Sequence, residues 1–163
     1  MEENKLVKTL LQASIVVSLL AFLDALYLLY MELSGNFQCL INQGIFQCET
    51  VNTSPYAKFL GVHVSLWGMI FYLIFITLLF LALFNKNEYW LSFFLPVASL
   101  WGLGFSIYLT SVEIFKIKFF CEFCLFSAIC SVILFVLVLI SKKKYFTSFL
   151  VKLDFWNMFK RTI

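Results

Sequence analysis

The chain has 163 residues, of which 63% are hydrophobic, 20% aromatic and only 13% charged, with a net charge of +3. A soluble domain carries about 25% charged and about 45–50% apolar residues, so a water-soluble globule is excluded. Twenty-one Phe against six Gly and two Pro exclude a disordered chain, and lysines scattered without a basic stripe exclude a nucleic-acid binder.

A helix needs about 20 predominantly apolar residues to cross a bilayer core of about 30 Å. Four segments qualify. The first covers 9–31, with Asp24 its one charge; the second (59–84) and third (89–112) contain no Asp, Glu, Lys or Arg; the fourth (121–141) carries only Glu122. Each is apolar all round, as a lipid-embedded helix is. The expected fold is therefore an all-α integral membrane protein, a four-transmembrane-helix bundle occupying 1–141. Residues 142–163 form a tail that mixes Lys142, Lys143 and Lys144 with Phe146, Phe149, Phe155, Trp156 and Phe159. Such a tail suits an anionic cytoplasmic leaflet.

Four spans put both termini on one side, and the positive-inside rule selects which. With the termini inside, the inner segments hold Lys5, Lys8, Lys86, Lys142, Lys143, Lys144, Lys152, Lys160 and Arg161, against Lys58, Lys116 and Lys118 outside. Cytoplasmic termini in a multi-pass cell-membrane protein are expected. The first span reads as an anchor rather than a cleaved leader, because it is long, contains Asp24 and lacks an A-x-A-like site after it. The outer link between the first two spans is long (32–58), which makes it the place to look for function. Within it, Ser54 is read as a helix N-cap, Pro55 as the first helical residue and Gly61 as the stop of a short interfacial helix.

The topology, obtained without the cysteines, puts Cys39 and Cys48 in that outer loop and Cys121-Glu122-Phe123-Cys124 at the outer mouth of the fourth span. Four of five cysteines thus face the oxidising side, where disulfides persist; Cys130, deeper in the span, reads as an inert small apolar residue. Two thiols separated by two residues in a first helical turn can close a disulfide. The first sulfur is expected to stay exposed for attack, its thiolate stabilised by helix N-terminal N–H groups. Cys124, one turn deeper, can meet a lipid-soluble molecule, while Cys39 and Cys48 suit a mobile dithiol carrying electrons to Cys121. Two structural disulfides in a non-enzymatic scaffold would use the same four residues, and a four-cysteine zinc site fits less well, because eight residues between Cys39 and Cys48 make a poor half-site. Asp24 could serve a proton relay or hydrogen-bond a neighbouring helix; alone it makes a poor lining for a transporter or channel. His63 suits a proton donor or a headgroup contact. Glu122 suits an acid that tunes nearby thiols by like charge, or a solvated helix-N-terminal acid.

With these residues in place, the sequence resembles the vitamin K epoxide reductase family, in its small prokaryotic members without a fused thioredoxin domain. The carriers are Cys39, the run from Cys48 through Asn52 and Ser54-Pro55 to Ala57, then Gly61-Val62-His63-Val64-Ser65-Leu66-Trp67-Gly68 with Tyr72, and the Cys121/Cys124 pair. The other quinone-coupled disulfide-forming family carries its C-x-x-C in the first outer loop; here that pair opens the fourth span. The resemblance implies four helices around a quinone of ubiquinone, menaquinone or vitamin K type, with no metal. It further implies that Cys39 meets a thioredoxin-like, DsbA-like partner, that Cys48 exchanges with Cys121, and that Cys124 faces the quinone, with Ser54 supporting a sulfur or the ring. An apolar, aromatic-walled pocket is what such a ring needs. Trp67, Phe71, Phe120 and Phe123 are the candidates, and Ser65 in the matched segment joins them. The implied activity is quinone-dependent thiol–disulfide oxidation in support of disulfide formation.

Overall fold

The computed structural model describes residues 2–37, 39, 44–84 and 88–141, with side chains for all of these except 2–5 and 88–92. Along the chain run α1 (Glu2–Ser34), the short α2 (Cys48–Asn52), a 3-10 turn (Pro55–Ala57), strands β1 (Lys58–Phe59) and β2 (Val62–His63), then α3 (Val64–Phe84), α4 (Glu88–Val112), a π turn (Glu113–Ile117) and α5 (Glu122–Ser141). Four stretches are long and apolar enough to cross a membrane: Leu6–Ser34, Val64–Phe84, Phe93–Ile117 and Glu122–Ser141. The expected all-α membrane bundle is the fold found. The link at 85–87 and the tail at 142–163 lie outside the described residues.

α1 is the central post, packed against both α3 and α5. Its buried stripe is Leu11, Ser14, Ser18, Ala21, Ala25, Leu28 and Met31, whose spacing of three or four keeps one seam facing its neighbours. Lipid is as apolar as a leucine side chain, so helices in it associate through close packing of small residues rather than through the hydrophobic effect. Ser14 and Ser18 meet that need. Their hydroxyls donate to the carbonyls of Leu10 (2.9 Å) and Ser14 (2.7 Å), so no buried donor is stranded. Across the bundle, the Tyr72 hydroxyl of α3 hydrogen-bonds that of Ser127 on α5 (2.8 Å), and Ser131 on α5 bonds Ser106 on α4 (2.9 Å).

Two helix boundaries depart from the sequence reading. The second span starts at Val64 rather than at 59, because Lys58–Phe59 and Val62–His63 pair as an antiparallel hairpin. Leu60 (φ 54°) and Gly61 (φ 79°) form its turn, so Gly61 ends no helix; left-handed backbone is where glycine is at home. The helical segment of the outer loop falls at Cys48–Asn52, with a single 3-10 turn at Pro55–Ala57. Ser54 and Pro55 hold the N-cap and first positions of that turn as read, but the Ser54 hydroxyl donates to Val51 O (2.7 Å) and makes no cap bond. The third span does not end at 112 either. It runs on through the π turn, closed by the Lys118 N–H on Glu113 O (2.7 Å) with Lys118 left-handed at φ 63°.

The α3–α4 seam is sparser than the contacts of α1 with α3 and α5. It closes where the Phe71 ring lies on buried Gly102: a Cβ added at Gly102 would sit 2.5 Å from Phe71 Cζ. Gly102→Ala is expected to overpack this contact, costing about 1–3 kcal/mol and lowering the thermal midpoint in detergent. Gly104→Ala, whose Cβ would meet nothing within 4 Å, is the control. Equal midpoints for the two variants would sink the argument.

Candidate active site

All four extramembrane-end cysteines meet at one end of the bundle, and main-chain pairing brings them there. Phe46 and Phe120 form a parallel bridge, in which Gln47 N–H donates to Phe120 O (3.1 Å) and Phe120 N–H to Ile45 O (2.9 Å). α2 is thereby laid over the start of α5. Cys39 and Cys48 are joined in a disulfide with Cα atoms 6.1 Å apart, while Cys121, Cys124 and Cys130 are free thiols. Cys48 and Cys121 are both fully buried, in one cluster with Leu28, Met31 and Val51. The expectation that Cys121 is exposed to aqueous thiols is therefore overturned: the loop covers it.

Cys121 sits at the N-cap of α5, its carbonyl accepting the first helical bond from Leu125 N–H (3.0 Å). Its sulfur takes the Cys124 backbone N–H, the bond that an N-cap oxygen ordinarily takes. The Cys124 thiol and the Asn52 amide (Nδ2 to Sγ, 3.5 Å) also donate to it. The Cys124 thiol contributes most, and together these donors hold the Cys121 thiol below its usual range, against burial and the facing Glu113 charge. Asn52 is aimed by α2 itself, since Nδ2 also donates to Cys48 O (2.9 Å), one turn back.

Glu113 completes the group. It is 4% exposed; its carboxylate accepts from the Cys121 backbone N–H and faces the Cys124 thiol. Its Oε2 is buried with no hydrogen-bond partner among the described residues. Beside Cys124 and Glu113 opens a cavity of about 1040 Å³, reached by all four long helices and by the loop. Exposed residues of α3 (Trp67, Ile74) and α4 (Val97, Trp101) line it as well, so it opens sideways between those two helices. Its outer rim is aromatic: Phe59 packs edge-on against Trp67 (6.5 Å) and Phe105 (6.0 Å), and the Trp67 indole N–H donates to Phe59 O (3.2 Å).

Among the residues read from the sequence, Trp67, Phe71, Ser65 and Cys124 line the cavity, as does Asp24, whose Oδ2 is buried without a hydrogen-bond partner among the described residues. Phe120 and Phe123 do not reach it. Phe120 is held in the bridge to Phe46, and Phe123 packs its ring on Tyr27 (5.2 Å). The Ser65 hydroxyl is committed to Glu32 in a short hydrogen bond, and His63 Nδ1 lies 3.2 Å from the same carboxylate, whose side chain is 2% exposed. His63 thus anchors the hairpin to the end of α1. Ser54 bonds Val51 rather than a sulfur; Asn52 makes the sulfur contact instead. Glu122 sits beside the loop pair, its carboxylate and the Cys39 and Cys48 sulfurs within 4.8 Å of one another. Cys130 is buried in the main core. Asn52 and Glu113 were not singled out by the sequence reading. Their only signals were a position four residues after Cys48 and a carboxylate next to an uncharged run.

A family model described as the vitamin K epoxide reductase family matches residues 12–139. The chain belongs to that family. No curated protein matches it. Members of the vitamin K epoxide reductase family are membrane disulfide oxidoreductases, and this chain carries a loop disulfide beside a dithiol at the start of α5. Removing the Asn52 donor is expected to raise the pH at which Cys121 ionises, because a hydrogen bond to the thiolate is lost. In Asn52→Leu, the ionisation of Cys121, followed by the ultraviolet absorbance of the thiolate so that no reagent need reach the buried sulfur, should move to higher pH. An unchanged pH midpoint would show that the amide does not act on the sulfur.

Proposed function

We propose that this protein is a quinone-coupled thiol–disulfide oxidoreductase, which re-oxidises a thioredoxin-like, DsbA-like partner outside the cytoplasm and so supports disulfide formation. The reading rests on one observation: the sulfurs are graded from a half-buried Cys39, through buried Cys48 and Cys121, to Cys124 on the cavity wall. A partner thiolate attacks the loop disulfide, and its second thiol resolves the mixed disulfide, leaving Cys39 and Cys48 reduced. The Cys48 thiolate then attacks Cys121 of an inner disulfide and releases Cys124. Cys39 closes on Cys48 and frees Cys121. That sequence ends with a loop disulfide and an inner dithiol, the bonding pattern described above.

A quinone of ubiquinone, menaquinone or vitamin K type, bound in the cavity, supplies a two-electron acceptor. The cavity fits such a ring: it is apolar, aromatic-rimmed and in contact with Cys124. Trp67, Phe71 and Phe105 would hold the ring, and the open α3–α4 seam gives a path from the bilayer. The direction follows from potentials. A DsbA-type dithiol at roughly −120 mV is a strong oxidant, so only an acceptor of similar or higher potential re-oxidises it. The excess of basic residues in the inner segments supports cytoplasmic termini, with the cysteines on the opposite face.

Purified protein given a reduced DsbA-like protein and a soluble quinone analogue should consume one quinone for every two thiols oxidised, followed by quinone absorbance. Cys124→Ala should fold, keep its loop disulfide and show no turnover. If no analogue turns over while all four outer cysteines resist mild reductants, the cysteines are structural staples and the proposal fails.

A further inference from the structure

We infer that Glu113 is a catalytic proton carrier, taking the proton of the Cys124 thiol and delivering it to the quinone; the inference rests on the reading just given. The cavity end of the dithiol has to handle a proton as well as electrons. In the net step Cys121, as thiolate, and Cys124, as thiol, form an S–S bond and give up two electrons. The Cys124 proton moves to the Glu113 carboxylate and from there to one oxygen of the reduced quinone; the second proton that quinol requires comes from solvent. Atoms and charge then balance without any further reactant.

Three observations point to Glu113 as that carrier. It lines the same cavity as Cys124 and interacts with the very thiol whose proton must leave. It is almost wholly removed from solvent, so water does not compete for that proton. It also lines the cavity, with Oε2 buried and unpartnered among the described residues, which leaves one carboxylate oxygen for Cys124 and the other for an incoming acceptor. A carboxyl group bonded on both oxygens by its own protein could not make that transfer. The π turn explains how a residue at the end of α4 reaches this position: the wider turn over Glu113–Ile117 carries the backbone past the mouth of α5, and such single π turns are frequent at functional sites.

Glu113→Gln keeps the acceptor oxygen for Cys124 but cannot carry a proton. It should slow quinone reduction by about 10²–10⁴-fold, the usual worth of a positioned acid–base group. Exchange between the partner and the loop disulfide, read without quinone, should stay within about twofold of wild type. A second quinone-free readout checks the contact itself. The titratable groups facing Cys121 are Cys124 and Glu113, and Glu113 opposes its ionisation. In Glu113→Gln the pH midpoint for Cys121 ionisation, read from thiolate absorbance, should therefore move down while quinone reduction falls. A loss of quinone reduction far larger than the shift in the Cys121 midpoint accounts for is the outcome that a purely electrostatic role does not give.

Quinone reduction at the wild-type rate in Glu113→Gln, or an unmoved Cys121 midpoint, would overturn the inference while leaving the oxidoreductase reading intact. Failure of the wild-type protein to reduce any quinone would instead overturn that reading. Glu113→Asp covers a Gln variant that does not fold: it retains the carboxyl and should keep quinone reduction clearly above the rate of Cys124→Ala. An Asp variant that exchanges at the loop yet reduces no quinone would count against proton transfer.

Discussion

Two main-chain hydrogen bonds hold the redox centre together. Gln47 to Phe120 and Phe120 to Ile45 stitch the loop onto the entrance of α5, while Cys48 and Val51 pack on Leu28 and Met31 of α1. Everything chemical at this end of the molecule follows from that stitch. It sets α2 over the α5 N-terminus, which buries Cys48 against Cys121 and points the Asn52 amide at the Cys121 sulfur. The Phe46 and Phe120 rings, 6.2 Å apart, add apolar contact, yet backbone pairing sets the register. A sequence change at either Phe would therefore alter packing more than position.

The electrostatics of the two cysteine pairs are arranged in opposite senses. Glu122 stands next to the Cys39 and Cys48 sulfurs, where a carboxylate disfavours thiolates. At Cys121 a backbone N–H, a thiol and an amide converge on the sulfur and favour its thiolate. Reducing equivalents are thus better accommodated on the inner pair than on the loop pair, in keeping with a loop disulfide and an inner dithiol. The buried Glu32 serves the frame instead. With Ser65 and His63 it ties the end of α1 to the start of α3 and steadies the hairpin above the cavity.

Hydropathy made the four spans legible, because a bilayer demands about 20 apolar residues whatever the packing. It located their ends poorly. Phe59, Leu60 and Val62 of the hairpin extend the apolar run of α3 backward, while the left-handed backbone at Leu60 and Gly61 turns the chain there. The C-x-x-C spacing announced a helix-capping dithiol, but not that the loop would seal Cys121 from water, since burial there comes from a pairing of residues 46 and 120 that no local pattern reveals. Aromatic content misled in the same way. Phe120 and Phe123 sit beside the redox cysteines in sequence, yet strand pairing and the Tyr27 contact turn them from the cavity. Glu113 escaped notice because a carboxylate after an apolar span reads as a solvated end; the π turn that buries it has no composition signature.

The complete burial of Cys121 gives the protein the character of an insulated conductor. A small thiol dissolved in water finds no surface on that sulfur while the loop is seated, so it cannot short the inner pair directly. On the proposed reading, the aqueous partner meets the loop disulfide at Cys39 and the quinone meets Cys124, and the buried sulfurs of Cys48 and Cys121 lie between them. Leakage through the centre is then governed by how often the loop lifts, a local opening whose free energy is set by a handful of backbone bonds rather than by the stability of the whole bundle.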